Sequence, residues 1–150
     1  MHRLIKTDSS NRDFADLVNH LDAELAIRDG AEHSFYHQFN KIRGINHVIL
    51  LYAENEAVAC GAIKDFDQNS AEIKRMYTMP ELRGKGLAVL VLLALEQWAA
   101  ELGFKKCILE TGKKQPEAIA LYQKCGYSAI PNYGQYAGVE NSVCFEKQLG

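Results

Sequence analysis

Apolar residues recur along this chain first at helical and then at strand spacing. Between Asn11 and Arg28, the residues Phe14, Leu17, Val18, Leu21 and Leu25 fall three or four apart. That spacing predicts an amphipathic helix, capped by Asn11 or Ser10 and ended by Gly30. A second, shorter helix is expected from about Glu32 to Ile42. The pattern then tightens. Val48 to Ala53 and Ala57 to Ile63, separated by Glu54-Asn55-Glu56, read as the two strands of a hairpin. Ala71 to Met79 follows the polar turn Asp67-Gln68-Asn69-Ser70 and should pair antiparallel with its predecessor. From Leu87 the order changes to helix, strand, helix, strand, which calls for parallel pairing through crossover connections. The helix from Leu87 is apolar on nearly every side through Leu95, so it is expected to be buried, turning amphipathic only at Glu96, Gln97 and Glu101. Ser142 to Gln148 reads as the last strand. With no repeat, low-complexity tract or linker, residues 1–150 are expected to form one α/β (α+β) domain, a mixed sheet flanked by helices.

The third strand-like run departs from an ordinary central strand, because it carries Glu72, Lys74 and Arg75. Simple alternation puts Glu72, Lys74, Met76 and Thr78 on one face and Ile73, Arg75 and Tyr77 on the other, unless a bulge shifts them.

Composition narrows the function. A formal net charge of −2 gives no support for a general nucleic-acid binder. The longest apolar run, Leu87 to Leu95, is too short to cross a bilayer, and no charged-then-apolar signal opens the sequence, so a cytoplasmic protein with no membrane partner is expected. Cys60, Cys107, Cys125 and Cys144 form no Cys-x-x-Cys pair and are expected to be free thiols. His33 and His37 stand one helical turn apart, but Ser34-Phe35-Tyr36 between them lacks the glutamate of a zinc protease motif, and no metal site is expected.

Between the Glu72 to Met79 run and the helix from Leu87 lies Leu82-Arg83-Gly84-Lys85-Gly86-Leu87-Ala88. A strand, a glycine-rich turn with an arginine and a helix start make a pocket for a phosphate-bearing ligand. The first helical turn leaves amide N–H groups without partners and carries partial positive charge. Gly84 and Gly86 remove side chains that would block the oxygens, and Arg83 supplies a planar cationic fork. The segment is neither a P-loop nor a dinucleotide fingerprint. Two glycines around a lysine also suit an ordinary strand-to-helix connection.

Arg-x-x-Gly-x-Ala, Arg83 to Ala88, resembles the coenzyme A signature of the GNAT (Gcn5-related) N-acetyltransferase superfamily, and about half the chain agrees with it in order. Ala71 to Tyr77 is similar to the family's fourth strand, Leu87 to Gly103 to the following helix, and Lys105 to Thr111 to its fifth strand. Pro116 to Tyr127 resembles the closing helix and Gly-aromatic turn. The resemblance implies a mixed, mostly antiparallel twisted sheet, acetyl-CoA as co-substrate, and acetyl transfer to the primary amine of a small molecule by direct attack in a ternary complex. It also allows a homodimer, although no self-complementary surface is legible.

Such a transfer has three physical needs: the amine must lose a proton, the oxyanion needs donors, and the departing thiolate benefits from a proton. By resemblance Glu72 is the general base, acting through water, with Glu110 in reserve; Glu72 would also serve as a strand-end carboxylate paired with Lys74. Tyr122 falls where the family commonly places the proton donor to the thiolate, a position that equally suits an amphipathic core tyrosine. A backbone amide within Met76, Tyr77 and Thr78 is expected to hold the oxyanion, where relatives splay strands four and five apart. Together with Arg83, Gly84, Lys85, Gly86, Leu87 and Ala88 these residues form the expected coenzyme site. Relatives often carry asparagine where this chain has Gln115, which caps the helix weakly or donates an amide, ahead of Pro116 at the first helical position.

The resemblance also places His33, Tyr36 and His37 near the acceptor channel. Tyr127, Tyr133 and Tyr136, amid Gly134 and Gly138, form a loop that either covers the acceptor or merely connects two strands. Lys74 and Arg75 would favour an amino-acid-like acceptor over a polyamine. The rival readings are a non-catalytic acyl-CoA-binding regulatory module, which keeps the pocket without the chemistry, and an interaction domain whose loop binds nothing.

Overall fold

The run Val-Ile-Leu-Leu at 48–51 has no polar side because its strand is covered on both faces. Val48 and Leu50 share a core with Phe14, Leu17 and Val18, whereas Ile49 and Leu51 share one with Leu92, Leu95 and Leu109. The structure, a computed structural model, describes residues 2–29 and 44–150. The helix expected from about Glu32 to Ile42, with His33, Tyr36 and His37, and the stop at Gly30 lie outside the described residues.

The described elements run β1 (His2–Thr7), α1 (Arg12–Asp29), β2 (His47–Ala53), β3 (Glu56–Asp65), β4 (Ser70–Thr78), α2 (Leu87–Glu101), β5 (Lys106–Gly112), α3 (Pro116–Lys124), β6 (Ser128–Ile130) and β7 (Ser142–Gln148). Asn11 rather than Ser10 caps α1, since its side-chain oxygen accepts from the amides of Asp13 at 2.8 Å and Phe14 at 3.3 Å. The strands form one sheet in the order β1-β2-β3-β4-β5-β7-β6. Helix α1 covers one face, and α2 and α3 the other.

Two pairings differ from the crossover reading. Among the described strands, only the neighbours β4 and β5 pair in parallel; β7 runs antiparallel to both β5 and β6. The crossover through α3 does return β6 in the direction of β5, but one place further out, and β7 fills the gap between them. The edge strand β1, paired to β2, carries mostly exposed residues and so leaves no burial pattern in the sequence.

Helix α2 is less enclosed than expected. Leu87, Val91, Leu92, Leu95 and Ala99 are buried, yet Leu90 and Leu93 are 40% and 49% exposed. Glu96, expected on the outer face, is instead buried; its carboxylate accepts from the Tyr127 hydroxyl at 2.8 Å and the Lys147 ammonium at 2.9 Å. A buried charge with two donors is the tolerable form of such a group.

The feature that shapes the site is a bulge in β4. Cys60 of β3 pairs with Tyr77, but Ala62 pairs with Lys74, so Arg75 and Met76 together face Gly61. Arg75 takes a left-handed conformation, φ 58°, which is uncommon for a residue with a side chain. The faces predicted by simple alternation are therefore exchanged beyond Lys74. Met76 joins Ile73 in the core under α2, and Tyr77 joins the core under α1.

Gly61 permits this arrangement. A Cβ there would lie 2.5 Å from the Met76 sulfur, 2.8 Å from Leu95 and 2.9 Å from Val91. Gly61→Ala is expected to cost about 1–3 kcal/mol through overpacking, read as a lower urea midpoint at unchanged slope. An unshifted midpoint would show that Met76 and α2 adjust without loss.

Candidate active site

Strands β4 and β5 pair only through Ser70–Lys106, Ala71–Cys107 and Glu72–Ile108. Beyond Glu72 the two separate: β4 stays with β3, and β5 stays with β7 as far as Gly112. A wedge opens between them, with β4 backbone on one wall.

Two cavities meet in that wedge. The larger, roughly 410 Å³, runs from Met76, Tyr77 and Thr78 along the loop at Arg83, Gly84 and Gly86. Leu87 and Ala88 of α2 and Ala118 and Leu121 of α3 also line it. The smaller, roughly 120 Å³, is bordered by Glu72, Lys74, Arg75, Glu110 and Tyr136. Leu21, Met76, Gln115, Ala118 and Tyr122 border both, so these residues mark the junction.

The loop has the geometry an anion requires. Gly84 and Gly86 both have φ 81°, and beyond their immediate chain neighbours no described atom lies within 4 Å of where their Cβ would be. Gly86 stands at the N-cap of α2 without a side-chain cap, and its carbonyl takes the first helical bond from Leu90 at 3.3 Å. The amides of Leu87, Ala88 and Val89 precede that bond and so have no acceptor within the helix. Lys85 is exposed and does not border the cavity. Gln115 caps α3 with no side-chain bond, and Pro116 occupies the first turn.

Arg83 is held by three partners: its Nε donates to the Thr78 carbonyl at 2.9 Å, its Nη2 to Glu24 at 2.9 Å, and its guanidinium lies 5.3 Å from the Tyr77 ring centre. Arg28 of α1 pairs with Glu117 of α3 across the same cleft. Glu24 and Glu117 were not legible as partners, because nothing in their spacing says that the end of α1 meets α3. A phosphate arriving at Arg83 would share the guanidinium with Glu24, whose negative charge opposes it. Accordingly Arg83→Ala should weaken acetyl-CoA about ten- to a hundredfold, the worth of a charge-assisted hydrogen bond, while Glu24→Gln should tighten it. Titration calorimetry of the two variants checks both signs; tightening by Arg83→Ala would exclude the contact.

In the smaller cavity Glu72 is 6% exposed. Its Oε2 accepts from the Tyr133 hydroxyl at 2.7 Å, and Lys74 Nζ stands 3.8 Å from its Oε1. Glu72 is thus no solvent-facing strand end, although Lys74 is indeed its neighbour. Burial lowers the Lys74 pKa, and the Glu72 charge partly restores it. The connection from β6 to β7 reaches this place: the Tyr133 ring meets Phe66 edge to face at 5.0 Å, and Tyr136 is buried beside it. Tyr127 is elsewhere, in the core with Glu96. Glu110 accepts from the Ser142 hydroxyl at 2.7 Å.

Tyr122 is 6% exposed, with its ring near Tyr127 and Phe145. Burial, the neighbouring Cys125 and Glu110 raise its pKa, so the phenol keeps its proton. The buried thiols are poor nucleophiles: burial pushes Cys60 and Cys107 up to about 12 and Cys144 to about 11. Among the described residues no cluster of three metal-ligating side chains occurs, and no helix is long and apolar enough to cross a membrane.

The fold agrees with the comparisons to known proteins. The sequence profile of the acetyltransferase (GNAT) family matches residues 14–127, and the chain belongs to that family. It is 46% identical over 81 residues to the uncharacterized N-acetyltransferase YjgM of Escherichia coli (strain K12), covering 51% of this chain and 48% of that protein. The chain therefore spans about half the length of that relative. With the uncharacterized N-acetyltransferase YsnE of Bacillus subtilis (strain 168) it shares 29% over 145 residues, 95% of this chain and 96% of the other. Among solved structures, the putative acyl-CoA N-acyltransferase from Klebsiella pneumoniae superposes with a TM-score of 0.84 at 28% identity, covering 100% of this chain and 99% of that one. The PaiA N-acetyltransferase of Thermoplasma acidophilum, solved with coenzyme A, shares the fold with a TM-score of 0.72 at 18% identity over 99% of each chain.

Proposed function

We propose that this protein transfers an acetyl group from acetyl-CoA to the primary amine of a small molecule by direct attack in a ternary complex. The observation that carries this reading is the meeting of two cavities at Tyr122 and Met76, in the opening between β4 and β5. One cavity ends at a glycine loop with free space for an anion, and the other at a buried carboxylate. A thioester and an amine entering from opposite sides would reach each other without a covalent enzyme intermediate, and the three buried thiols are ill suited to forming one.

Acetyl-CoA supplies an activated acyl group, and its diphosphate suits Arg83 and the amides that open α2. The rest is done by side chains and backbone of this chain. Glu72 takes, through water, the proton that the ammonium must lose before the free amine can attack, with Tyr133 fixing its carboxylate. An N–H within Met76 to Thr78, on the wall of the wedge, is the donor for the developing oxyanion. Tyr122 faces the departing sulfur. Bond for bond, C–N forms, C–S breaks, and the amine's proton balances the free thiol released.

Release of coenzyme A thiol is the test, measured with a panel of small primary amines and paired with thermal unfolding in acetyl-CoA. The proposal expects both thiol release and a raised transition. A raised transition with no thiol from any amine would favour an acyl-CoA-binding module, and no shift at all would point to an interaction domain.

A further inference from the structure

The β4 bulge does more than open the sheet. By inserting a residue it turns Arg75 out of the core under α2 and onto the face of Lys74 and Glu72, where Asp22 of α1 meets its guanidinium. Two adjacent cations thus border one small cavity, held there by a left-handed backbone at a residue with a long side chain. Such strain at a cavity wall is a pointer to function.

Neither cation is fully satisfied by the described residues. The Arg75 side chain is 2% exposed; its Nη2 pairs with Asp22, but its Nε has no hydrogen-bond partner among them. A buried guanidinium N–H without an acceptor is costly and rare. The Lys74 side chain is 8% exposed, and its distance to Glu72, 3.8 Å, is too long for a hydrogen bond. Among the described residues the opposing charges are the carboxylates of Glu72 and Glu110, which line the cavity, and of Asp22, which pairs with Arg75.

We infer that the Lys74–Arg75 pair binds a carboxylate carried by the acceptor, so that the amines this site takes are short amino carboxylates. This rests on the acetyl-transfer reading given above and deepens it. A plain alkylammonium would leave the spare donors of Lys74 and Arg75 without an acceptor. A zwitterion supplies both halves: its ammonium faces Glu72 and Glu110, and its carboxylate faces Lys74 and Arg75. Occupation by that carboxylate would also draw Lys74 away from Glu72, which leaves Glu72 to accept the amine's proton. The small volume, roughly 120 Å³, favours a short chain.

The experiment uses the full chain and matched pairs, each amino acid beside its own carboxamide. Binding to protein saturated with coenzyme A is followed by calorimetry, and turnover with acetyl-CoA by thiol release. The carboxylate member of each pair is expected to bind, and to react in kcat/KM, at least tenfold better. Lys74→Gln should bring the ratio to within about twofold with coenzyme affinity unchanged, and Arg75→Lys, which keeps the charge opposite Asp22, should reduce it partly. Equal binding of the two members, binding of neither, or a preference that survives both variants would overturn the inference. Should carboxylates bind preferentially while no amine yields thiol, the carboxylate site stands and acetyl transfer falls. Should amides and acids release thiol equally, the reverse holds.

Discussion

Glu72→Gln should lower kcat by about a hundredfold or more, the usual worth of a positioned general base, while acetyl-CoA binds as before. The substitution keeps the shape of the side chain and an oxygen to accept from Tyr133, so the fold has little reason to change. It removes the group that receives the proton. Rapid-quench turnover checks this. An undiminished kcat in the variant would move the role to Glu110, which borders the same cavity, or to solvent.

Tyr122→Phe is the second large effect: a fall in kcat of about ten- to a hundredfold with coenzyme affinity near the parent's, corresponding to one hydrogen bond to a developing charge. Because burial, Cys125 and Glu110 raise its pKa, Tyr122 is a weaker acid than an ordinary thiol near 8.5, and in the proposed reaction it would stabilise the sulfur by donating a hydrogen bond rather than by giving up its proton first. The direction of the shift fixes the pH dependence. A raised pKa keeps the donor protonated further into alkali, so Tyr122 should impose no basic limb in the neutral range. Full kcat for the phenylalanine variant under single-turnover conditions would leave Tyr122 a core residue only.

Elements that repeat a period are legible in the residues themselves. Phe14 to Leu25 at helical spacing and Val48 to Leu51 as an unbroken apolar run each name their surroundings. The glycine loop is legible too, because positive φ and open space are needs that residue types reveal. What escapes is what distant residues decide. The bulge at Arg75 depends on Gly61 in another strand, and the burial of Glu96 depends on Tyr127 and Lys147 from elements far along the chain. Likewise Tyr133 reaches Glu72 across 61 positions of sequence, which no local pattern encodes. Strand alternation misplaces Arg75 and Met76 for the same reason: one inserted residue inverts every later side chain.

Three residue pairs are all that join β4 to β5. In mechanical terms the molecule is two half-sheets stitched at one end, and whatever lies between the loose ends serves as the missing rungs. A bound coenzyme would then act as a clasp. Amide hydrogens of residues 73–78 should trade with solvent slowly only while the clasp is fastened, so the protein's rigidity would rise and fall with its supply of acyl donor.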